Sequence, residues 1–449
     1  MKVIGKYEKL DIYTPRNPTQ SHYYKCVSNH YEELAGIWDD VYQRQYGYWR
    51  PFIIDVIYKF IDCGDPQNGF ARVKCKDCNH EYLLTFSCKS RYFCPSCHQR
   101  RVLEFGEYLY EEVLKQVPHR QWVFSIPKRL RPYFMYDRKL LSKLSKCAWK
   151  VLSDYLKCSV SEDDATPGAV ISVQTFGDFL NFNSHLHIIA TDGCFNGDGF
   201  IFGSQPNSSD LVKPFRDEVL KMLKKEGKIN DAIIENMLSW HHSGFNIYCG
   251  PAIYPDEKDV IERLSQYIVR APISQERMIY IPEDESRDGN AQVIYKDKSG
   301  IVSQTFDALD WLAKLITHIP DKGEQLVRYY GYYSNKSRGM RKKLEKDNSV
   351  PALVSTSTSK KTFRKKWAEL IMKVYNVDPL ICPKCSGQMR IVGFIEDTET
   401  INKILKHLNR LHPQSQAPPK RDKSSIVKHI EEIKYDCDFS QETFYDDDI

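Results

Sequence analysis

Two closely spaced cysteine pairs constrain the fold of this chain more than any other feature of its sequence. Two residues separate Cys75 from Cys78 and Cys94 from Cys97, and fifteen residues lie between the pairs. This spacing is typical of a tetrahedral zinc site, in which each tight turn presents two thiolates. A unit of this size cannot fold on apolar burial alone, so the metal supplies much of its stability. We therefore predict one structural zinc ion bound by these four cysteines.

Other cysteines leave the ligand set open. The chain has 14 cysteines and no apolar signal segment at its N-terminus, which favours metal binding over disulfides. Four further potential ligands are close in sequence: Cys63, His80, Cys88 and His98. We expect them to pack around the site, with a second zinc ion or the exchange of one ligand as the alternative. Another pair, Cys382 and Cys385, has no later partner pair, so it needs ligands from elsewhere or has lost its function.

Length and composition place the chain among globular proteins with several domains. It has 449 residues, of which 41% are hydrophobic and 27% are charged, and its formal net charge is +5. No segment reaches the roughly 18 consecutive apolar residues of a membrane span. A cytoplasmic protein is expected.

The region of the paired cysteines is also basic and aromatic. The residues concerned are Lys89, Arg91, Tyr92, Arg100 and Arg101. Basic residues interleaved with aromatic ones suit a phosphate backbone and stacked bases. We predict that this flank binds DNA; a solvated surface that binds a protein is the alternative.

Strand-like and helix-like segments alternate over the middle of the chain. This pattern predicts an α+β fold with an antiparallel sheet. We divide the chain into an N-terminal helical and zinc-binding domain (1–118), a central domain (119–347) and a C-terminal region (348–449) that contains a linker, basic residues and the last cysteine pair.

A histidine pair stands on a predicted strand of the central domain. His185 and His187 alternate with apolar residues such as Leu186, so both imidazoles point to one face of the sheet. Two neutral imidazoles side by side form part of a site for a divalent metal. The alternative is a pair of surface or hydrogen-bonded histidines.

A tyrosine-rich segment offers a nucleophile for such a metal. If residues 324–334 form a helix, Tyr329 and Tyr333 share one face. A tyrosine hydroxyl can attack a DNA phosphodiester beside a cation that neutralises the developing charge. Two tyrosines one turn apart could then serve two successive strand transfers. The alternative is an aromatic cluster that only packs, since the chain has 28 tyrosines.

These motifs together resemble the HUH-type transposases of the insertion-sequence 91 family. The resemblance runs from about Trp49 to His407 and includes the cysteine-rich segment, the His185-Leu186-His187 strand, the sequence Tyr267-Ile268-Val269-Arg270-Ala271-Pro272, and the segment from Arg328 to Ser334. It implies an HUH endonuclease domain of ferredoxin-like or RRM-like topology and a nucleoid-associated protein.

The resemblance also implies a reaction and its residues. A tyrosine would nick one strand of single-stranded transposon ends, stay on the 5′ phosphate, and leave a 3′ hydroxyl for rolling-circle-like replication by the host. His185 and His187 would hold Mg²⁺ or Mn²⁺, with Gln325 as the third ligand or Asp192 as its alternative. Tyr329 would be the first nucleophile, with Tyr330 as its rival, and Tyr333 the second.

Two further expectations concern DNA. The tyrosine segment and the residues after it are expected to contact the nucleic acid through Arg328, Arg338, Arg341, Lys342 and Lys343. The sequence contains no Gly-x4-Gly-Lys-Ser/Thr loop, so unwinding would come from a host helicase.

Other classes of protein fit parts of the pattern. The main alternative is a zinc-dependent DNA-binding protein without catalysis, either a regulator or a decayed transposase. A zinc phosphohydrolase that uses the histidines, or a nuclease with three carboxylates, would need acidic clusters that the sequence does not display.

Overall fold

A computed structural model describes residues 18–160, 164–197, 199–344 and 381–407. Its helices are α1 (His22–Ile37), α2 (Gln43–Tyr46), α3 (Phe52–Ile61), α4 (Pro95–Tyr108), α5 (Arg131–Tyr136), α6 (Lys139–Cys158), α7 (Ser209–Lys225), α8 (Asp231–Leu238), α9 (Lys258–Ile268), α10 (Ala308–Ile316), α11 (Asn335–Lys343) and α12 (Thr398–His407). Its strands are β1 (Phe70–Cys75), β2 (Glu81–Thr85), β3 (His119–Ser125), β4 (Gly168–Phe176), β5 (Phe182–Thr191), β6 (Gly193–Asn196), β7 (Gly199–Phe202), β8 (Asn246–Ile253), β9 (Met278–Ile281), β10 (Gln292–Lys296), β11 (Ser303–Asp307), β12 (Val327–Gly331) and β13 (Met389–Ile395). Within these ranges, no helix combines the length and the apolar character that crossing a membrane requires.

A five-stranded sheet in the order β12-β4-β5-β3-β8 forms the centre of the molecule. All its neighbouring strands are antiparallel. The middle strands are buried because helices cover both faces. Leu186 and Ile188 of β5 pack among apolar side chains of α6 and α7, whereas Ile189 packs with those of α4 and α9. The predicted α+β class with an antiparallel sheet is confirmed.

The register of the sheet fixes what surrounds the histidine pair. On β4, Gln174 is the direct neighbour of His185 and Ser172 is the direct neighbour of His187. Directly paired residues of antiparallel strands point to the same face. The face that carries both histidines therefore also presents the polar side chains of Gln174 and Ser172.

The tyrosine-rich segment is a strand rather than the predicted helix. Residues Val327–Gly331 form β12, which pairs with β4 at the edge of the sheet. The strand ends at Gly331, whose φ is +59°. A Cβ there would overlap the carbonyl oxygen of Pro167, so only glycine fits this turn. Strand geometry places adjacent side chains on opposite faces, so Tyr329 and Tyr330 point to different sides of the sheet.

A second sheet joins distant parts of the chain. It has the order β13-β1-β2, and β13 pairs antiparallel with β1 along its length. Helix α12 packs on this sheet through Ile401 and Leu405, which contact Phe70 and Leu83. The N-terminal module is therefore completed by residues from near the other end of the sequence.

A separate apolar core connects the N-terminal helices with a three-stranded sheet in the order β11-β10-β9. Tyr23 of α1, Phe60 of α3 and Trp311 of α10 are buried in this core together with Phe93. Phe93 directly precedes Cys94, so the core supports one side of the cysteine-rich region.

Candidate functional site

The two histidines of β5 present the geometry of a shared metal site. Their Nε2 atoms lie 3.1 Å apart, and Nδ1 of His185 lies 2.8 Å from the carbonyl oxygen of Asn183. That carbonyl accepts the Nδ1 proton, which leaves the Nε2 lone pair for a metal. Burial lowers the pKa of His185 to about 4 and that of His187 to about 3, so both imidazoles are neutral.

The spacing of these nitrogens fits the expected cation. Octahedral Mg²⁺ with bonds of about 2.1 Å holds neighbouring ligand atoms about 3.0 Å apart. Two amide oxygens of nearby residues, Oε1 of Gln174 and Oδ1 of Asn183, are buried without a hydrogen-bond partner. Such oxygens are suitable further donors for a hard cation. Among the described residues, no third histidine, cysteine or carboxylate joins the pair.

Tyr267, near the end of α9, lies against this histidine pair. Its ring centroid is 5.2 Å from that of His187, at an interplanar angle of 82°. The side chain is 39% exposed, and its hydroxyl has no hydrogen-bond partner in the described part of the chain. A partly exposed tyrosine ring thus stands beside the candidate metal ligands.

The sheet itself holds the end of α9 in this position. Ser172 Oγ donates to the carbonyl oxygen of Ile268 at 2.7 Å. Gln174 Nε2 donates to the carbonyl oxygens of Tyr267 and Ile268 at 3.1 and 2.9 Å. These bonds satisfy the last carbonyls of the helix, which otherwise lack partners. The two strand residues beside the histidines therefore also fix the backbone of Tyr267.

Cations surround the tyrosine and the histidines. The guanidinium of Arg270 lies 4.6 Å from the Tyr267 ring centroid, and Lys298 Nζ lies 5.6 Å from it. Burial lowers the pKa of Arg270 and that of Arg131, and the positive charges of both contribute to the lowered pKa of His185. No carboxylate of the described residues forms a salt bridge with any of these three cations. This excess of positive charge suits a phosphate.

The structure places the predicted catalytic tyrosines away from the histidines, which argues against their assignment as nucleophiles. Tyr329 shares their face. It lies two strands away from His187 and two residues further along the sheet, which is roughly 12 Å by sheet spacing. Its hydroxyl is buried without a partner, and burial raises its pKa. Tyr330 points to the opposite face, where its hydroxyl lies 3.0 Å from Ser145 Oγ.

Tyr333 is also remote from the histidines. Its hydroxyl lies 2.7 Å from Nε2 of His119 and accepts from the amide of Lys115. His119 stands opposite Thr191, four residues from His187 and so roughly 13 Å along the strand. Tyr333 is fully buried, and burial raises the pKa of its hydroxyl.

Of the two predicted third ligands, Asp192 is not brought to the pair. Asp192 lies past the far end of β5, where its carboxylate accepts from Nε of Arg120 at 2.6 Å. Gln325 directly precedes Leu326, whose carbonyl oxygen accepts from the amide of Val173 on β4, and its role as a ligand stays a prediction.

The cysteines form two clusters, and the predicted grouping into one site is wrong. The proximal cluster consists of Cys63, Cys88, Cys94 and Cys97. The bridging cluster consists of Cys75, Cys78, Cys382 and Cys385. Within each cluster all four thiols lie within 4.8 Å of one another. The two pairs joined by the prediction belong to different clusters, because each Cys-x2-Cys turn faces a different part of the chain.

The proximal cluster has the geometry of a tetrathiolate zinc site. Its Sγ–Sγ distances include 3.6 Å for Cys63–Cys97, 3.5 Å for Cys88–Cys97 and 3.8 Å for Cys94–Cys63. Tetrahedral zinc with bonds of about 2.3 Å separates its sulfur ligands by about 3.8 Å. Cys63 and Cys88 thus complete this cluster, which agrees with the alternative of further ligands rather than with the expectation that they pack around the site.

The proximal cluster leads directly to α9. Cys94 is the N-terminal cap residue of α4, and α4 packs against α9. One turn into α4, His98 accepts from the amide of Tyr92 at 3.3 Å and contacts the carbonyl oxygen of Val269 through Nε2 at 2.8 Å. Burial lowers the pKa of His98 to about 4, so this histidine is a neutral bridge between the two helices.

Most of the predicted DNA-binding residues have partners within the protein. Arg91 donates to the carbonyl oxygen of Glu324, Arg100 pairs with Glu104, and Tyr92 is buried against His98. Arg338 and Arg341 lie over the rings of Tyr329 and Tyr332. Arg101 and Arg328 are half-buried, whereas the exposed members of the set are Lys89, Lys342 and Lys343. Their role in DNA binding stays a prediction.

Sequence reasoning assigned no role to Tyr267, although it singled out the segment Tyr267–Pro272. The available signal was a tyrosine that ends an amphipathic helix and is followed three residues later by an arginine. The tyrosines of the β12 region are clustered and have helical spacing, and this pattern favoured them as the predicted nucleophiles.

Comparisons with known proteins agree with these features. A family model described as "Putative transposase" matches residues 168–341, and one described as "Transposase zinc-binding domain" matches residues 34–126. The chain is 24% identical to "Transposase for insertion sequence element IS801" of Pseudomonas savastanoi pv. phaseolicola, over 76% of this chain and 83% of that protein. It is 23% identical to "Putative transposase y4qJ" of Sinorhizobium fredii, over 70% of this chain and 82% of that protein. No solved structure matches the chain significantly.

Proposed function

Because the chain belongs to the insertion-sequence 91 family of transposases, we propose that it cuts and rejoins single-stranded DNA with Tyr267 as the nucleophile. The observation that carries this proposal is the position of Tyr267, an exposed tyrosine whose ring lies 5.2 Å from His187. DNA binding follows from the transposase family, and the covalent chemistry is the proposed part.

His185 and His187 would hold a divalent cation, Mg²⁺ or Mn²⁺, with Gln174 as our choice of third donor. Gln174 is the direct cross-strand neighbour of His185, and its Oε1 is buried without a partner. When bound, the cation polarises the scissile phosphate and neutralises charge that develops on it.

In the proposed reaction the Tyr267 oxygen bonds to phosphorus while the bond from phosphorus to the 3′ oxygen breaks. The tyrosine proton is lost to solvent and the leaving 3′ oxygen gains one, so the products are a 5′-phosphotyrosine and a free 3′ hydroxyl. An incoming 3′ hydroxyl reverses these steps and joins a new strand, which keeps the phosphodiester energy in the protein–DNA bond. The free 3′ end would be extended by host replication, as in rolling-circle-like transposition.

The cations beside Tyr267 would orient the phosphate for attack. Arg270 can bind two phosphate oxygens with its planar guanidinium, and Lys298 and Arg131 add positive charge without a competing carboxylate. Such preorganised charge lowers the barrier because it needs no rearrangement during the reaction.

We propose one nucleophile rather than two. The position one helical turn before Tyr267 is Arg263, and both side chains are on the exposed face of α9. Successive transfers would then use the same tyrosine after release of the first strand, or tyrosines of two protein molecules.

The test is incubation of the full-length protein with a labelled single-stranded transposon end and Mg²⁺ or Mn²⁺, followed by mapping of the protein–DNA adduct. Tyr267→Phe should abolish the adduct because the attacking oxygen is removed. Tyr248→Phe is the matched control, since Tyr248 is 52% exposed and shares the face of His187 two strands away. Tyr329→Phe and Tyr333→Phe should retain the adduct.

An adduct that persists in Tyr267→Phe and disappears in Tyr248→Phe or Tyr329→Phe would move the nucleophile to that residue. If the wild-type protein binds the end and forms no adduct with either metal, the alternative of a non-catalytic DNA-binding protein is favoured.

A further inference from the structure

The bridging cluster brings together thiols from opposite ends of the described chain. Cys75 Sγ lies 3.5 Å from Cys385 Sγ, and Cys78 Sγ lies 3.5 Å from Cys382 Sγ. These distances are close to the separation of about 3.8 Å expected for sulfur ligands of tetrahedral zinc. The matched zinc-binding family model covers residues 34–126 and therefore includes only half of this cluster.

The two turns that carry these thiols have the same backbone geometry. The amide of Cys75 donates to the carbonyl oxygen of His80, and that of Cys382 donates to Gly387, each at 2.8 Å and each five residues apart. In both turns the residue after the second cysteine has a positive φ, +58° at Asn79 and +59° at Ser386. The two turns are equivalent halves of one site.

Backbone amides also point at the sulfurs. The amide of Asp77 donates to Cys75 Sγ at 3.3 Å, and the amide of Lys384 donates to Cys382 Sγ at 3.4 Å. Donors to sulfur stabilise the thiolate form that binds metal. The turns also approach closely, because a Cβ at Gly387 would overlap the carboxylate of Asp77. The two turns therefore pack closely enough for their four sulfurs to share one ion.

Within residues 381–407, the described part of the segment that contains Cys382 and Cys385, few apolar side chains are buried. Strand β13 buries Met389 and Ile391 against β1, and α12 buries only Ile401 and Leu405. A segment of this size gains little stability from so small a core. A shared metal supplies the missing stability by coordinating both parts of the chain.

We propose that Cys75, Cys78, Cys382 and Cys385 bind a second structural zinc ion that fastens residues 381–407 to the N-terminal sheet. The ion would complete a three-stranded zinc module from two distant parts of the sequence. In the sequence, the basic run from Lys360 to Lys366 lies between α11 and this module. This site is independent of the nicking chemistry proposed above.

Zinc content of the full-length protein is the first test. Elemental analysis of the wild-type protein should give two zinc ions per chain, and the Cys382→Ser/Cys385→Ser variant should give one. The single variant Cys385→His, which keeps Cys382, should retain the second ion, because an imidazole can replace a thiolate at tetrahedral zinc. A wild-type content of one zinc, unchanged in the double variant, would overturn the proposal.

The fastening itself is tested by cutting the chain. A specific protease site is inserted within residues 345–380 of the full-length protein, which is then cleaved and passed over a size-exclusion column. The C-terminal fragment should co-elute with the rest of the protein. It should separate when a zinc chelator is added, and it should also separate in the Cys382→Ser/Cys385→Ser variant. Co-elution that survives both treatments would show that zinc does not hold the segment.

Discussion

The proximal and bridging clusters present the same four thiolates, but they connect different parts of the molecule. The ligands of the proximal cluster all fall between Cys63 and Cys97, whereas those of the bridging cluster are separated by about three hundred residues. Loop-closure entropy grows with the length of chain between ligands. The proximal site can therefore form early and locally, and the bridging site can form only after most of the chain has folded.

The surroundings of the two clusters differ as well. Cys63, Cys94 and Cys97 are buried beside the apolar core of α1, α3 and α10, whereas Cys78 and Cys385 are exposed. The proximal cluster also begins α4, which packs on the helix of Tyr267. We infer that the proximal site supports the proposed catalytic geometry and that the proposed bridging site supports the attachment of the C-terminal segment.

Cys94→Ser, which removes a ligand of the proximal cluster, is expected to have the largest effect on adduct formation. Loss of a ligand should release the proximal zinc, disorder the start of α4 and displace α9. A displacement of about 1 Å at the reacting atoms can reduce a rate about 100-fold. Adduct formation should therefore fall by about two orders of magnitude, together with a lower midpoint of thermal unfolding.

The matched control is Cys158→Ser, which changes an exposed cysteine outside both clusters. This variant should behave as the wild type does. If Cys382→Ser reduces adduct formation as strongly as Cys94→Ser does, the division of roles between the clusters is wrong.

A smaller effect is expected when the link between the proximal cluster and α9 is cut without removing a ligand. His98→Phe fills a similar volume but leaves the Val269 carbonyl and the Tyr92 amide buried without partners. Each unpaired group costs about 1–3 kcal/mol. Because two groups lose their partners, unfolding by urea should show a loss of about 2–6 kcal/mol in stability, and adduct formation should fall while zinc content stays unchanged.

His98→Gln is the companion variant, since its amide can still donate to the Val269 carbonyl. It should recover part of the stability and part of the adduct yield. Equal yields in His98→Phe and the wild type would mean that α9 holds Tyr267 without help from α4.

The fold class and the histidine strand were predictable because each depends on local periodicity. Alternation of apolar and polar residues over β4 and β5 identifies strands, and it places His185 and His187 on one face. The helix prediction for Val327–Gly331 failed because five aromatic-rich residues fit a helix or a strand equally well. What decides between the two is pairing with β4, a tertiary contact that local propensity does not contain.

The candidate site was predictable only in part, for a related reason. Sequence spacing suggests which cysteines make tight turns, but it does not tell which turns face each other. Cys75 and Cys78 meet Cys382 and Cys385 because β13 pairs with β1, and that pairing closes a very long loop. Tyr267 meets His187 because Ser172 and Gln174 hold the end of α9, and those bonds join elements remote in sequence.

The smallest expected effect is a difference in the order of zinc release from the wild-type protein. Two ligands of the bridging cluster are exposed, and the segment that carries Cys382 and Cys385 has only a small apolar core, so local opening should occur there first. A limiting amount of chelator should remove one zinc ion per chain quickly and the other slowly. Adduct formation should persist after the first ion leaves and decline with the second, since only the proximal cluster is connected to the helix of Tyr267. Release can be followed with a colorimetric zinc indicator in parallel with adduct yield. If both ions leave at one rate, or if the first loss already stops adduct formation, the two clusters behave as a single cooperative unit.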